Sequence, residues 1–195
     1  MPVPYEEVSN PARIVFLVSV GAFSAGELVQ AFRVRRGSTQ VDLRAEAAFR
    51  AMFFGGILMW PLGRYVAPGA ATGGGVRLIV LGAVLGWLGL LLRWSSFVSL
   101  GRYFTVVLET SEDQPVVERG PYRFLRHPSY TGLLLVFAGL GLMLGNWVSA
   151  VGAEGLLLIA VVYRIRVEER ALITALGDRY REFAASRARL IPYVW

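Results

Sequence analysis

The feature that most constrains this chain is a series of long apolar segments separated by more polar linkers of varied length. A transmembrane helix needs about 20 apolar residues to cross roughly 30 Å of hydrocarbon. Only 17% of the 195 residues are charged, whereas a soluble domain usually carries about 25%. The sequence therefore predicts an all-α integral membrane protein with about five transmembrane helices, which we place at residues 14–32, 47–66, 78–92, 131–144 and 147–163.

The apolar pattern also predicts how the chain is organised. We expect a single membrane domain over residues 1–195. Residues 1–100 contain three N-terminal transmembrane helices. Residues 101–195 contain a cofactor-binding loop, a helical hairpin and a C-terminal tail. Only Gly145 and Asn146 separate the last two apolar segments, so these helices should lie antiparallel and in contact. Gly82 and Gly86, one helical turn apart, predict a close approach between helices.

The tail and the arginines indicate how the chain sits in the membrane. Apolar residues recur at helical spacing over residues 167–185, which predicts a cytoplasmic amphipathic helix that lies on the membrane surface or caps the binding site. With the N-terminus outside, seventeen of the twenty arginines fall on the cytoplasmic side, and only Arg13, Arg64 and Arg77 fall opposite. This bias follows the positive-inside rule. We therefore predict a multi-pass cell-membrane protein with its C-terminus in the cytoplasm. A net charge of +6 could indicate a nucleic-acid partner, but the arginines follow the membrane topology and do not cluster on a soluble domain, so we predict none.

Residue types exclude several chemistries. The chain contains no cysteine, which excludes disulfides, thiolate nucleophiles and thiolate-bound metals. It contains no lysine either, so Schiff-base chemistry is excluded. A single histidine, at position 127, makes a transition-metal site an unfavoured interpretation. All twenty lysine or arginine residues of the chain are arginines, which is typical of a GC-rich, bacterial genome.

Two polar clusters border the predicted hairpin. The first is Gly120-Pro121-Tyr122-Arg123-Phe124-Leu125-Arg126-His127-Pro128-Ser129-Tyr130, and the second runs from Arg164 to Glu169. Pro128 suits the first turn of a helix, whose backbone N–H groups would face the cytoplasm. Folding of the hairpin would bring the two clusters together, and this favours a ligand site at its cytoplasmic end.

The clusters contain complementary functional groups. His127 is a switchable hydrogen-bond donor, Arg126 is a fixed cation, and Tyr122 and Tyr130 offer aromatic faces with hydroxyl groups. Glu168 and Glu169 suit an ammonium group, a ribose or a metal, and Arg164 suits a carboxylate. Taken singly, these residues are also explained by headgroup anchoring, helix capping or a helix start. Glu27 and Glu154 lie within apolar segments, where we favour structural pairing over catalysis.

The first cluster resembles the signature of the isoprenylcysteine carboxyl methyltransferase family. The similarity continues through Asn146-Trp147, the cluster from Arg164 to Glu169, Leu176-Gly177-Asp178-Arg179-Tyr180 and Arg189-Leu190-Ile191-Pro192. It covers roughly the last eighty residues, whereas the first ninety are similar only in being apolar. The resemblance implies an integral-membrane methyltransferase that uses S-adenosylmethionine and a lipophilic small-molecule or lipidated acceptor.

The resemblance also implies roles for individual residues. Arg164 would orient an acceptor carboxylate, with Glu168 beside it as a second catalytic residue. Glu169 would hold the amino group of the cofactor. The remaining cofactor-binding candidates line or close the same site: Tyr122, Arg126, His127, Pro128, Tyr130, Tyr180 and Arg189.

Other functions remain open from the sequence. The acceptor could be a phospholipid or a small amine, in which case His127 is the candidate base. A sterol-reductase-like oxidoreductase using NADPH has a similar Arg-His-Pro-x-Tyr segment, although that family usually has more helices. A membrane scaffold whose polar clusters only anchor lipid headgroups is the non-enzymatic alternative.

Overall fold

The computed structural model describes residues 9–31, 43–101, 116–192 and 195, and most of these residues are helical. We number the α-helices of this described part in chain order: α1 Asn10–Ala31, α2 Leu43–Val66, α3 Gly75–Leu100, α4 Pro128–Met143, α5 Trp147–Leu176 and α6 Asp178–Ala185. Two short 3-10 helices, Pro68–Ala70 and Gly120–Arg123, lie between them. The predicted all-α class is confirmed at this level.

Three of the described helices are long and apolar enough to cross a membrane: Asn10–Gln30 within α1, the whole of α3 and the whole of α5. The helix α4 is apolar but has only 16 residues. Several predictions fall outside the described residues, namely the end of the first helix at residue 32 and the cytoplasmic placement of Arg33, Arg35, Arg36 and Arg102.

Glycines bring α3 and α4 into close contact. A Cβ atom on Gly82 would lie 2.5 Å from the carbonyl oxygen of Gly139. A Cβ atom on Gly139 would in turn lie 2.5 Å from the backbone nitrogen of Gly86. Neither Gly82 nor Gly139 can hold a larger residue at this spacing, so the predicted packing role of Gly82 is confirmed. Gly86 contributes its backbone to the contact, but a Cβ atom there would lie 4.0 Å from the Cα atom of Gly139 and would fit.

Apolar residues both fill the interior and cover the outside. Phe137, Leu140 and Leu157 are almost completely buried where the helices meet. On the outer faces, Leu58 and Val151 are each 64% exposed. Such a surface is typical of helices that contact lipid, because an aqueous surface would not favour so many exposed apolar side chains.

The connection between α4 and α5 is as short as the sequence predicts. Gly145 adopts a left-handed conformation with φ of 63°. Asn146 then caps α5, because its side-chain oxygen accepts a hydrogen bond from the Ser149 N–H at 2.9 Å. The two helices are in contact, as predicted, although α4 packs mainly against α3 and α5 mainly against α2.

The tail differs from its predicted form. The helix α5 does not end near residue 163 but continues to Leu176, and Gly177, with φ of 58°, separates it from α6. The predicted single helix over 167–185 was therefore wrong, because hydropathy marks the edge of the apolar segment and not the end of the helix. As a consequence, Arg164 and Glu169 lie on the same continuous helix as the apolar segment.

Candidate functional site

The C-terminal tail lies along the loop that precedes α4. Three hydrogen bonds hold it there: Arg126 N–H to the Ala188 carbonyl (2.8 Å), His127 N–H to the Arg189 carbonyl (3.1 Å) and the Thr131 hydroxyl to the Leu190 carbonyl (2.8 Å). Pro128 begins α4 directly after this loop, as the sequence predicts. The loop, the start of α4 and the tail therefore form one connected structure at the end of the hairpin.

Glu169 binds two arginines from different parts of the chain. Its Oε1 atom accepts a hydrogen bond from Arg126 Nη1 at 3.0 Å, and its Oε2 atom accepts one from Arg189 Nε at 2.9 Å. His127 Nε2 lies 3.4 Å from Glu169 Oε1, but within the described part of the chain this buried nitrogen forms no hydrogen bond of good geometry. Glu169 is itself buried, so a partly desolvated carboxylate is shared between the loop and the tail.

Tyr130 connects the second half of the site. Its hydroxyl donates to Glu168 Oε2 at 2.8 Å and accepts from Arg164 Nε at 2.7 Å. Its ring stacks on the imidazole of His127, with 5.7 Å between the ring centroids. Glu168 Oε1 also lies 3.9 Å from His127 Nδ1. The side chains of both predicted clusters are thus joined into one network.

Tyr122 and Tyr180 are buried beside this network. Burial raises the pKa of the Tyr122 hydroxyl, and the nearby Glu168 carboxylate raises it further. Burial also raises the pKa of Tyr180 above its ordinary value of 10.0, and the nearby Glu169 carboxylate raises it further. Both hydroxyls therefore stay protonated at neutral pH, and that of Tyr180 has no hydrogen-bond partner among the described residues.

Sequence reasoning missed Glu46, which lies in the first turn of α2. Arg164 Nη1 donates to Glu46 Oε2 at 2.6 Å, and the Arg164 guanidinium also stacks on the ring of Phe49 at 4.5 Å. The sequence offered one weak signal, an acidic residue at the start of an apolar segment. Nothing in the spacing linked that residue to an arginine 118 positions later.

A second missed contact supports the site from below. Arg93, near the end of α3, binds Glu27 of α1 through Nε at 2.5 Å and Nη2 at 2.8 Å. Its Nη1 atom donates to the Ser129 carbonyl at 2.9 Å. The predicted structural pairing of Glu27 is confirmed. Glu154, in contrast, has a buried Oε2 atom without a hydrogen-bond partner in the described part of the chain.

The arrangement can bind a ligand that carries both signs of charge. It contains carboxylates and guanidinium groups, together with two buried polar atoms that form no hydrogen bond of good geometry within the described residues, the Nε2 of His127 and the hydroxyl of Tyr180. Unpaired buried polar atoms cost free energy, and a polar ligand would remove that cost. All ten sequence-predicted site residues lie in or beside this network.

The family comparison includes most of this network. Residues 80–174 match the model of the isoprenylcysteine carboxyl methyltransferase family. These residues are therefore similar to that family. The match contains the loop, α4 and most of α5, and it leaves out α1, α2 and the tail residues Tyr180 and Arg189.

Similar curated proteins carry two kinds of name. Protein-S-isoprenylcysteine O-methyltransferase A of Arabidopsis thaliana is 35% identical over 122 residues, which cover 62% of this chain and 58% of that protein. Methanethiol S-methyltransferase of Mycobacterium tuberculosis is 37% identical over 73 residues, covering 37% of this chain and 28% of that protein. The chain thus spans little more than half of the plant relative's length.

A solved structure shares the fold. The eukaryotic intramembrane Ras methyltransferase of this family superposes with a TM-score of 0.55 at 22% identity, over 75% of this chain and 52% of that one. This similarity supports the helical membrane architecture of the isoprenylcysteine carboxyl methyltransferase fold.

Proposed function

We propose that this chain is an integral-membrane methyltransferase that transfers a methyl group from S-adenosylmethionine to a carboxylate on a lipophilic, isoprenylcysteine-like acceptor. The observation that carries the proposal is the network joining Arg126, His127, Tyr130, Arg164 and Glu169 at one end of an apolar hairpin. Because residues 80–174 match the model of a methyltransferase family, we interpret this network as a methyl-transfer site.

The site suits S-adenosylmethionine in charge and in hydrogen-bonding groups. Glu169 would hold the amino group of the methionine part, because it is a buried carboxylate already shared by two cations. His127 and Tyr180 each have a buried polar atom to offer. Tyr122, Pro128 and Tyr130 would form the wall of the pocket. When bound, the cofactor supplies a methyl group on a positively charged sulfur.

The chain's own residues would bind and orient the acceptor. Arg164 presents a planar, buried guanidinium that suits a carboxylate, and the hydrogen bond from its Nε to Tyr130 fixes its orientation. Glu168 holds Tyr130 from the other side. A carboxylate acceptor requires no base, so alignment and exclusion of water would provide most of the rate.

The proposed placement in the membrane follows from the same elements. Five helices, α1 to α5, would cross a cell membrane with the N-terminus outside, and the use of arginine for all basic positions favours a bacterial source. The site would then open to the cytoplasm, where the polar cofactor is available, and α6 would lie on that surface. The arginine bias in the sequence and the exposed apolar faces of the helices support this orientation.

One observation favours a second acceptor class. The mycobacterial relative is named for methylation of a small thiol. A thiol must lose its proton before it attacks, and His127, within 3.9 Å of Glu168, would be the candidate base.

A transfer assay tests the proposal. Purified protein in lipid vesicles would receive S-adenosylmethionine with a radiolabelled methyl group and one acceptor at a time: an N-acetylated S-isoprenyl cysteine, a long-chain thiol or phosphatidylethanolamine. We expect label in a base-labile ester of the cysteine acceptor, and loss of that label in Arg164→Gln. The exposed Glu182→Gln serves as a matched control. If only the thiol or only the phospholipid is labelled, that compound class is the acceptor and the proposed carboxylate acceptor is wrong. If no acceptor is labelled, the methyltransferase proposal is rejected.

A further inference from the structure

The guanidinium proposed to orient the acceptor is already bound to a carboxylate of the chain itself. Arg164 Nη1 and Glu46 Oε2 are 2.6 Å apart, and the two residues are 3% and 6% exposed. Glu46 belongs to α2, which lies outside the part of the chain that matches the family model. A buried pair at this distance is a strong interaction, and a second carboxylate could not approach Arg164 without repelling the first.

Glu46 has a second partner, Arg50, which could keep it paired if it left Arg164. Its other oxygen, Oε1, accepts a hydrogen bond from Arg50 Nε at 2.6 Å, one helical turn along α2. The Arg50 side chain is 55% exposed, whereas the Arg164 side chain is 4% exposed. One carboxylate therefore bridges a buried arginine and a surface arginine. Loss of the buried contact would leave Glu46 still paired with Arg50.

This arrangement explains how a carboxylate could bind without a net gain of buried charge. An acceptor carboxylate that replaces Glu46 on Arg164 restores the buried ion pair, and Arg50 keeps the displaced Glu46. An acceptor without charge gains nothing by the exchange, because it would leave Arg164 without its buried anion. The exchange therefore discriminates by charge, at the position where the acceptor would be oriented.

We propose that Glu46 is a specificity-determining residue. It occupies the position of the acceptor's carboxylate on Arg164, and it leaves Arg164 and stays bound to Arg50 alone when a carboxylate acceptor binds. This inference rests on the proposed function. It assigns acceptor selection to a helix outside the family-matched residues, and it makes Arg50 part of the same device as a positioning residue.

The test compares two acceptors of nearly the same shape, one charged and one neutral. The probes are an N-acetylated S-isoprenyl cysteine and its carboxamide, and binding to the protein in detergent is measured by calorimetry with S-adenosylhomocysteine present. Glu46→Gln removes the competing charge but keeps a hydrogen-bond acceptor for Arg164. We expect it to bind the carboxylate about tenfold more tightly than the wild type, the size of one charge-assisted hydrogen bond, and the carboxamide unchanged. Glu182→Gln should match the wild type with both probes.

A second variant keeps the test decisive if Glu46→Gln does not fold. Arg50→Gln changes an exposed side chain and leaves Glu46 without its surface partner. We expect weaker binding of the carboxylate, by about threefold to tenfold, and no change for the carboxamide. Unchanged carboxylate binding in Arg50→Gln, weaker carboxylate binding in Glu46→Gln, or equal changes for both probes would overturn the inference.

The proposed function fails in a different way. If the folded wild type does not bind S-adenosylhomocysteine, the methyltransferase assignment is wrong. If it binds S-adenosylhomocysteine but none of the proteins binds the carboxylate probe, the cofactor assignment stands and the role of Glu46 is refuted.

Discussion

The buried contact of Arg93 gives the sharpest prediction about stability. The side chain of Arg93 is 9% exposed and that of Glu27 is 28% exposed. Arg93→Met keeps an apolar stem but removes three donors, two of them to Glu27 and one to the Ser129 carbonyl. The variant therefore leaves a half-buried carboxylate and a backbone oxygen without the donors that satisfied them.

The size of the effect follows from this geometry. Removal of one partner from a buried ion pair costs about 3–5 kcal/mol in free energy of unfolding. Water can reach Glu27 in part, so we expect the lower end, about 3 kcal/mol. For a chain of this length, that corresponds to a decrease of about 6–12 °C in the unfolding temperature. The double variant Glu27→Met/Arg93→Met should lose only about half as much, because no uncompensated charge remains.

Thermal unfolding of the detergent-solubilised protein measures this coupling. The four proteins of the cycle are the wild type, the two single methionine variants and the double variant. The double variant should unfold at a higher temperature than Arg93→Met alone. Strictly additive decreases would show that Arg93 and Glu27 do not stabilise each other, and the reasoning would then be refuted.

Two further predictions concern the helix contact and the buried tyrosine. Gly132→Ala places a Cβ atom 2.6 Å from the Gly89 carbonyl, so thermal unfolding should show a loss of about 1–3 kcal/mol, whereas Gly155→Ala, with nothing within 4 Å of the added atom, should be neutral; equal effects would contradict the close packing. Tyr180→Phe removes a buried hydroxyl that has no partner among the described residues, so it should fold as stably as the wild type at pH 7 but bind S-adenosylhomocysteine about tenfold more weakly by calorimetry. The pKa of Tyr180 is raised in the folded state, so the stability linked to its protonated hydroxyl is complete below the ordinary pKa of 10.0 and is lost as the pH rises above that value. Tyr180→Phe should therefore lose less stability than the wild type between about pH 10 and 12. Equal losses in the two proteins would contradict the burial of Tyr180.

The sequence predicted local features of the fold well. Hydropathy located the apolar part of each helix, and Pro128, Gly145 and Asn146 marked where α4 begins and where the hairpin turns. These signals act over a few residues, so they can be read without knowledge of the rest of the chain. The end of α5 could not be found in this way, because its last turns are polar and helical at once, and only Gly177 stops it.

Long-range contacts were the part that could not be predicted. The two polar clusters were expected to meet because a short hairpin connects them, and Tyr130 and Arg164 do form a hydrogen bond. Glu46 and Arg93 reach the site from helices that are distant in the sequence. Which faces of α2 and α3 turn towards α4 and α5 depends on side-chain packing, and periodicity alone does not specify it.

The most direct test of the whole account is calorimetric titration of the purified protein with S-adenosylhomocysteine, beside Glu169→Ala and the exposed control Glu182→Ala. Glu169 joins Arg126 and Arg189 and would hold the amino group of the cofactor. We predict saturable binding to the wild type and the control, and binding at least about tenfold weaker in Glu169→Ala. A folded wild type that does not bind, or a Glu169→Ala variant that binds equally well, would contradict the account, and NADPH would then be the next ligand to titrate.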